Sequence, residues 1–187
     1  TAQYVATVTD AAAGATFGRR YVFGELRQQS VDMSIRANVT FTSTLSFQLY
    51  VQPFTFAGDY SGFKELRAPR TFDFNRFGTD NASTVTVATT DAEGRPATYS
   101  VDPDGAGPGA VFAFTNPDFR TRSLRTNAVL RWEYRPGSTL FVVWTQSRSG
   151  FFPFDANFDV GRDFQRELLG DKPVNVLLVK LNYWLSL

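Results

Sequence analysis

The side chains that most often carry chemistry are missing here. The 187 residues contain no histidine and no cysteine. Without imidazole the chain lacks the commonest general base at neutral pH and the commonest transition-metal ligand. Without thiols there is no disulfide framework, no thiolate zinc site and no cysteine nucleophile. A Ser-His-Asp triad, a zinc protease and a facial-triad iron site are excluded within this chain. Carboxylates remain. Asp32 and Glu133 could serve as an acid/base pair. The simpler reading makes Asp32, Arg36, Asn38, Gln48, Arg125, Arg131, Glu133 and Lys180 one mixed-charge polar face, paired internally or with water. Asp155, Asn157 and Asp159 alternate oxygen ligands as a calcium loop does. An EF-hand would place its glycine one position earlier than Gly161 and add a later glutamate, so a solvated loop is the expected reading and calcium the alternative. Asp102 and Asp104 sit beside Pro103 and Gly105 and read as turn residues. The loop aromatics Tyr60, Phe63, Phe72, Phe74, Phe77, Phe151, Phe152 and Phe154 can stack on sugars or pack a large loop onto itself.

The elements that position these residues follow from alternation. Tyr4–Thr9 reads as a short strand and residues 10–19 as a loop. A long strand covers residues 20–42, with Val31, Met33, Ile35, Ala37, Val39 and Phe41 on one face. Asp32, Ser34, Arg36, Asn38 and Thr40 occupy the other face. After a tight turn at residues 42–44, Leu45, Phe47, Leu49 and Val51 alternate with Ser46, Gln48, Tyr50 and Gln52. Residues 57–117 are dense in Pro, Gly, Asp and Asn and read as a long loop carrying one hairpin, 84–88 with 97–101. A strand returns at 119–135, turns at Arg135-Pro136-Gly137-Ser138 and continues to about residue 147. Residues 140–146 are apolar on both faces, so alternation assigns them no inside. Residues 147–173 read as a loop in which Asp163 caps two helical turns ended by Gly170. The last strand, 175–187, places Leu177, Val179, Leu181, Tyr183, Leu185 and Leu187 opposite Lys180, Asn182 and Ser186.

The formal charge of +1 gives no basic field for nucleic acid. No run of about 18 apolar residues exists, so no membrane-spanning helix is expected. Alternation alone fits a soluble sandwich as well as a membrane barrel. Three patterns favour the barrel. Tight turns alternate with long loops, as periplasmic turns alternate with external loops. The apolar stripe from Val31 to Phe41 covers about 11 residues, enough to cross a bilayer at a tilt. Above it the same face turns polar at Glu25, Arg27 and Gln29. Phe41, Trp132, Tyr134, Tyr183 and Trp184 gather near the short turns or the chain end, as an interfacial girdle does. The expected fold is all-β, an antiparallel transmembrane β-barrel portion with about six spanning strands (near 3–9, 20–42, 45–56, 119–135, 139–147 and 175–187), and residues 57–117 as an external cap. Val31, Met33, Ile35, Val39, Leu45, Phe47, Leu49 and Leu130 should then face lipid. Six strands fall short of the eight of the smallest such barrels, so this sheet is expected not to close on itself. No signal peptide is visible, and a chain bound for the outer membrane needs one, so a cleaved leader or a longer precursor is expected.

Several runs resemble a known bacterial family. They are Gly58-Asp59-Tyr60-Ser61-Gly62-Phe63-Lys64-Glu65-Leu66, Asp102-Pro103-Asp104-Gly105, the stretch from Arg122 through Arg131-Trp132-Glu133-Tyr134-Arg135-Pro136-Gly137-Ser138 to Phe141, and Asn175 to Trp184. They are similar to the outer-membrane family of unknown function found behind a family-9-type carbohydrate-binding module. The resemblance implies the C-terminal part of a larger Gram-negative barrel, with that module N-terminal to this sequence and no catalytic residues to carry over. Its expected role is solute passage, or surface anchoring and display linked to saccharide binding. Its expected partners are outer-membrane lipid and the remaining strands of the barrel or partner chains. Two rivals remain: a soluble β-sandwich carbohydrate-binding module, and a surface hydrolase using loop carboxylates about 5 to 10 Å apart.

Overall fold

A computed structural model describes residues 2–185; of Arg166 and Glu167 only the backbone is described. Eleven strands form: β1 Ala2–Thr9, β2 Arg19–Asp32, β3 Ile35–Thr42, β4 Leu45–Leu66, β5 Phe74–Arg76, β6 Thr84–Thr90, β7 Pro96–Asp102, β8 Phe112–Thr115, β9 Phe119–Arg135, β10 Ser138–Pro153 and β11 Val174–Asn182. They make two antiparallel sheets. The larger has the order β1-β2-β4-β9-β10-β11, with β3 and β5 also paired to β4; the smaller is β6-β7-β8. The larger sheet is open, with β1 and β11 at its ends. As alternation predicts, the fold is all-β; among the described residues no closed barrel forms.

Two strands run further than their composition suggests. The strand after the first tight turn continues through Gly58 and Gly62 to Leu66. Gly58 is there for space: a Cβ on it would lie 2.8 Å from the Phe119 ring. Likewise β10 continues to Pro153, past Ser147, Ser149 and Gly150. The expected loops at 57–117 and 147–173 are shortened accordingly. The expected helical turns do form, but as a π-type turn over Arg162–Glu167 capped by Gly161 and Leu168. Asp163 lies inside this turn and makes no cap, contrary to expectation.

The chain divides into two compact units, and β2, β4, β9 and β10 contribute residues to both. The first comprises residues 1–29, 57–120 and 152–157. Here the hairpin expected at 84–101 is present, and β8 adds a third strand to it. Its core joins both sheets: Val22 and Phe63 from the larger, Val101, Phe112 and Phe114 from the smaller, and Phe77 between β5 and β6. Phe63 meets Phe114 edge-on at 4.9 Å and Tyr99 at 5.1 Å. Residues 57–117 are thus folded, and many of their aromatics are its core.

The second unit comprises residues 30–56, 121–151 and 158–187. It is a single layer of β3, β4, β9, β10 and β11 with the 158–173 segment. Its described large apolar residues are mostly not buried; Leu124 and Leu168 are exceptions. In β11 all nine residues are exposed. Ser186 and Leu187, expected to extend this strand, lie outside the described residues. One expectation is corrected. The strand expected as one piece over residues 20–42 is broken at Met33 and Ser34 into β2 and β3, and β1 pairs with residues 19–25 of β2.

Phe114→Ala removes a ring at 4% exposure from the core of the first unit. A loss of about 3–5 kcal/mol is expected. It should be read as faster amide exchange through 84–115 while amides of β10 and β11 keep their protection.

Candidate functional site

The polar groups cluster in two settings. In the first unit, buried arginines on β2 and β9 hold carboxylates from loops and from β4. Arg20, on β2, is 8% exposed. Its Nε donates to Asp10 Oδ2 at 2.7 Å and its Nη1 to both Glu65 oxygens at 2.9 and 2.7 Å. Burial alone would lower the Arg20 pKa; the hydrogen bonds and charges of Glu65 and Asp10 outweigh it and raise it. The hydrogen bond from Arg20, with that from the Ala12 amide, holds Asp10 below the usual aspartate range. A second cluster centres on Asp155, 6% exposed. Its Oδ2 accepts from Arg120 Nε and Nη2 at 3.1 and 3.0 Å and lies 3.2 Å from Arg95 Nη1. Burial pushes the Asp155 pKa up, but hydrogen bonds from the Asn157 amide and Arg120, with the charges of Arg120 and Arg95, bring it below normal. Asp118 differs. Burial raises its pKa, the bonds from the Tyr60 amide and Asn116 offset only part, and the charge of Asp59 adds to the rise.

In the second unit the polar residues share one sheet face. The β3–β4 register sets Arg36 opposite Tyr50 and Asn38 opposite Gln48, while Ile35 faces Val51 and Val39 faces Phe47. Gln52 donates to Asp32 at 3.3 Å, and Ser34 meets the Tyr50 hydroxyl at 3.4 Å. Arg36 lies over the Tyr50 ring, 5.3 Å from its centroid. A shallow concavity is lined by Arg36, Asn38, Gln48, Tyr50 and Asn127 together with the apolar Leu49 and Val129. A second is lined by Gln52, Phe54, Ser123 and Arg125. So Arg36, Asn38 and Gln48 come together with Asn127 of β9, while Asp32 meets Gln52. Arg131 and Glu133 pair with each other at 3.3 Å. Lys180 stands apart, opposite Phe141 on exposed β11. The same register settles the side that composition left open on β10. Thr139, Phe141, Val143 and Thr145 share the face of Lys180, while Leu140, Val142 and Trp144 share the face of Leu177 and Val179.

The calcium-like run resolves differently from its spacing. Asp155 meets two arginines, and Asp159 Oδ1 accepts from the Arg162 amide at 2.9 Å. No three acidic side chains converge among the described residues. Likewise Asp32 and Glu133 are not brought together; each meets a neighbour, Gln52 and Arg131.

Sequence reasoning missed the clamps on residues 158–173. Asp163 is fully buried and accepts from Thr55 Oγ1 at 2.8 Å. Arg122 grips Asp171 with two hydrogen bonds, at 2.7 and 2.8 Å. Arg148 donates to the carbonyls of Leu169 and Asp171. The one local signal was the density of arginine in Arg120, Arg122 and Arg125, which names no partner.

No family model, curated protein or solved structure matches this chain.

Two outcomes test the ion pairs. Asp155→Ala withdraws a carboxylate from Arg120, itself 3% exposed. A cost of about 3–5 kcal/mol to the first unit is expected in denaturant melts. With pH the signs are opposed. The stability that Asp10 and Asp155 contribute is present above the ordinary aspartate pKa and lost as pH falls through their depressed folded values. Asp118, raised, costs stability at neutral pH and regains it as it protonates. Lowering the pH should therefore first lift and then depress the melting temperature, and Asp118→Asn should remove the lift.

Proposed function

We propose that this chain is part of an outer-membrane β-barrel of a Gram-negative bacterium, anchoring a folded cap at the membrane surface rather than catalysing a reaction. The observation that carries this reading is the second unit's sheet. Its apolar residues have no covering layer within the described chain. Ile35 is 47% exposed, Val39 41% and Phe41 59%; on β11 Leu177 is 67% and Leu181 63%. Burying one such side chain is worth about 1.5–3 kcal/mol. A water-soluble sandwich would forgo that at each position, whereas lipid supplies it. The opposite face of β3 and β4 carries Arg36, Asn38 and Gln48, the composition of a barrel lumen.

Aromatic placement supports the same reading. Phe41 lies by the first tight turn, and Trp132, Tyr183 and Trp184 by the second, all exposed. Gly137, in the left-handed region at φ 78°, lets that turn close after Pro136. Tight turns at residues 42–44 and 135–138, alternating in the sequence with long connections, match periplasmic turns and external loops. The resemblance to the outer-membrane family fits this assignment. In that setting the lumen face would serve solute passage, and the missing edge partners would be further strands. The sandwich-like packing seen in the first unit belongs to the cap.

Val39→Arg is expected to cost about 2–4 kcal/mol of folding into liposomes, the penalty of a cation at mid-bilayer. Asn38→Arg, one residue along on the polar face, should cost little. Equal effects of the two, or folding to a monomer without detergent or lipid, would defeat the assignment.

A further inference from the structure

We infer that a cleft in the first unit binds one neutral, hydroxyl-rich ring, the size of a single sugar residue, with Phe17 as its apolar platform. The inference rests on this unit alone and stands whether or not the sheet is in a membrane.

The cleft, about 200 Å³, lies between the small residues 12–15 and the side chains of Arg20, Glu65, Arg67, Asn75, Asn81 and Asp104. Two guanidiniums and two carboxylates leave it without net charge, so neither an anion nor a cation is selected. Several hydrogen-bonding positions are unspent. Arg20 uses Nε and Nη1 on Asp10 and Glu65, and its Nη2 has no partner among the described residues. Asp104 Oδ2 accepts from the Gly109 amide at 2.9 Å, while its Oδ1 is buried with no partner. These two unspent atoms are neighbours: a Cβ on Gly109 would stand 2.7 Å from each. A donor beside an acceptor is satisfied by a hydroxyl, which accepts from one and donates to the other. The Asn75 and Asn81 side-chain amides each spend one N–H, on Glu65 and on the Pro103 carbonyl, which leaves a second N–H to donate and the side-chain oxygen to accept.

The platform adjoins this cleft. A shallow apolar depression formed by Phe17, Tyr21, Phe23 and Pro69 shares Thr16 and Leu66 with it. Phe17 is 87% exposed and sits at φ 56°, the left-handed region that bulky side chains avoid. A ring held outward at that conformational cost has no packing role here. It is placed to take the C–H face of a ligand ring while the cleft takes its hydroxyls, the usual division of a small-molecule site into apolar wall and few polar anchors.

The test uses the full chain in detergent micelles, titrated calorimetrically and by saturation-transfer NMR with glucose, galactose, N-acetylglucosamine and their β-linked disaccharides. Inorganic phosphate and glycerol are the controls. At least one sugar should bind and neither control should. Phe17→Ala and Asp104→Asn should each weaken binding about tenfold, the loss of one good contact. Phe17→Tyr should keep it, as should Phe72→Ala, which alters an equally exposed ring outside the site. No sugar binding overturns the inference. So does binding indifferent to both variants, and so does displacement by phosphate, which would make the cleft an anion site.

Discussion

A β-strand sends its hydrogen bonds sideways and its side chains to two faces, so a single layer of strands leaves both its rims and its surfaces for something else to satisfy. The second unit is such a layer. Its strands pair with one another in the order β3, β4, β9, β10 and β11. Nothing in the described residues covers the stripe of Ile35, Val39 and Phe41, or β11 on either face. Everything else about this unit follows from where that cover comes from. In the proposed membrane setting lipid would answer for the side chains, and it would make the rims costlier, because an unpaired backbone group in hydrocarbon costs several kcal/mol.

The first unit solves the same problem internally. Its small sheet folds over Val22 and Phe63, so the apolar residues of β2 and β4 meet Phe112 and Phe114 instead of solvent. Around that core, buried arginines tie loops to strands. A guanidinium paired with carboxylates is tolerated at a few per cent exposure, whereas a lone one would not be. Arg20 with Asp10 and Glu65, and Arg120 with Asp155, each join segments far apart in sequence. Proline- and glycine-rich stretches that form no regular strand are thereby given fixed positions.

Much of this was legible in the sequence because a two-residue period is a local property. It placed the strands near 45–56 and 119–135, separated Arg36 and Asn38 from Ile35 and Val39, and located the hairpin in 84–101, but it ran 20–42 as one strand where the fold breaks at Met33 and Ser34. It failed where one residue has two meanings. Gly58 and Gly62 look like loop signals, yet Gly58 serves a close approach by Phe119 inside a strand. Asp155 and Asp163 look like a metal ligand and a helix cap, yet one meets Arg120 and Arg95 and the other Thr55. A sequence states which charges exist, and only the fold states which of them meet. The Arg20–Glu65 pair, 45 residues apart, has no local signature at all.

The direction of the two outer strands of the second unit carries a consequence of parity. From β3 to β11 the antiparallel order β3, β4, β9, β10, β11 makes four reversals, so β3 and β11 run the same way. A second copy lying in the same sense presents rims of that direction too, and neither can give the other an antiparallel neighbour. Any ring that keeps every pair antiparallel must therefore insert an odd number of further strands between β11 and β3.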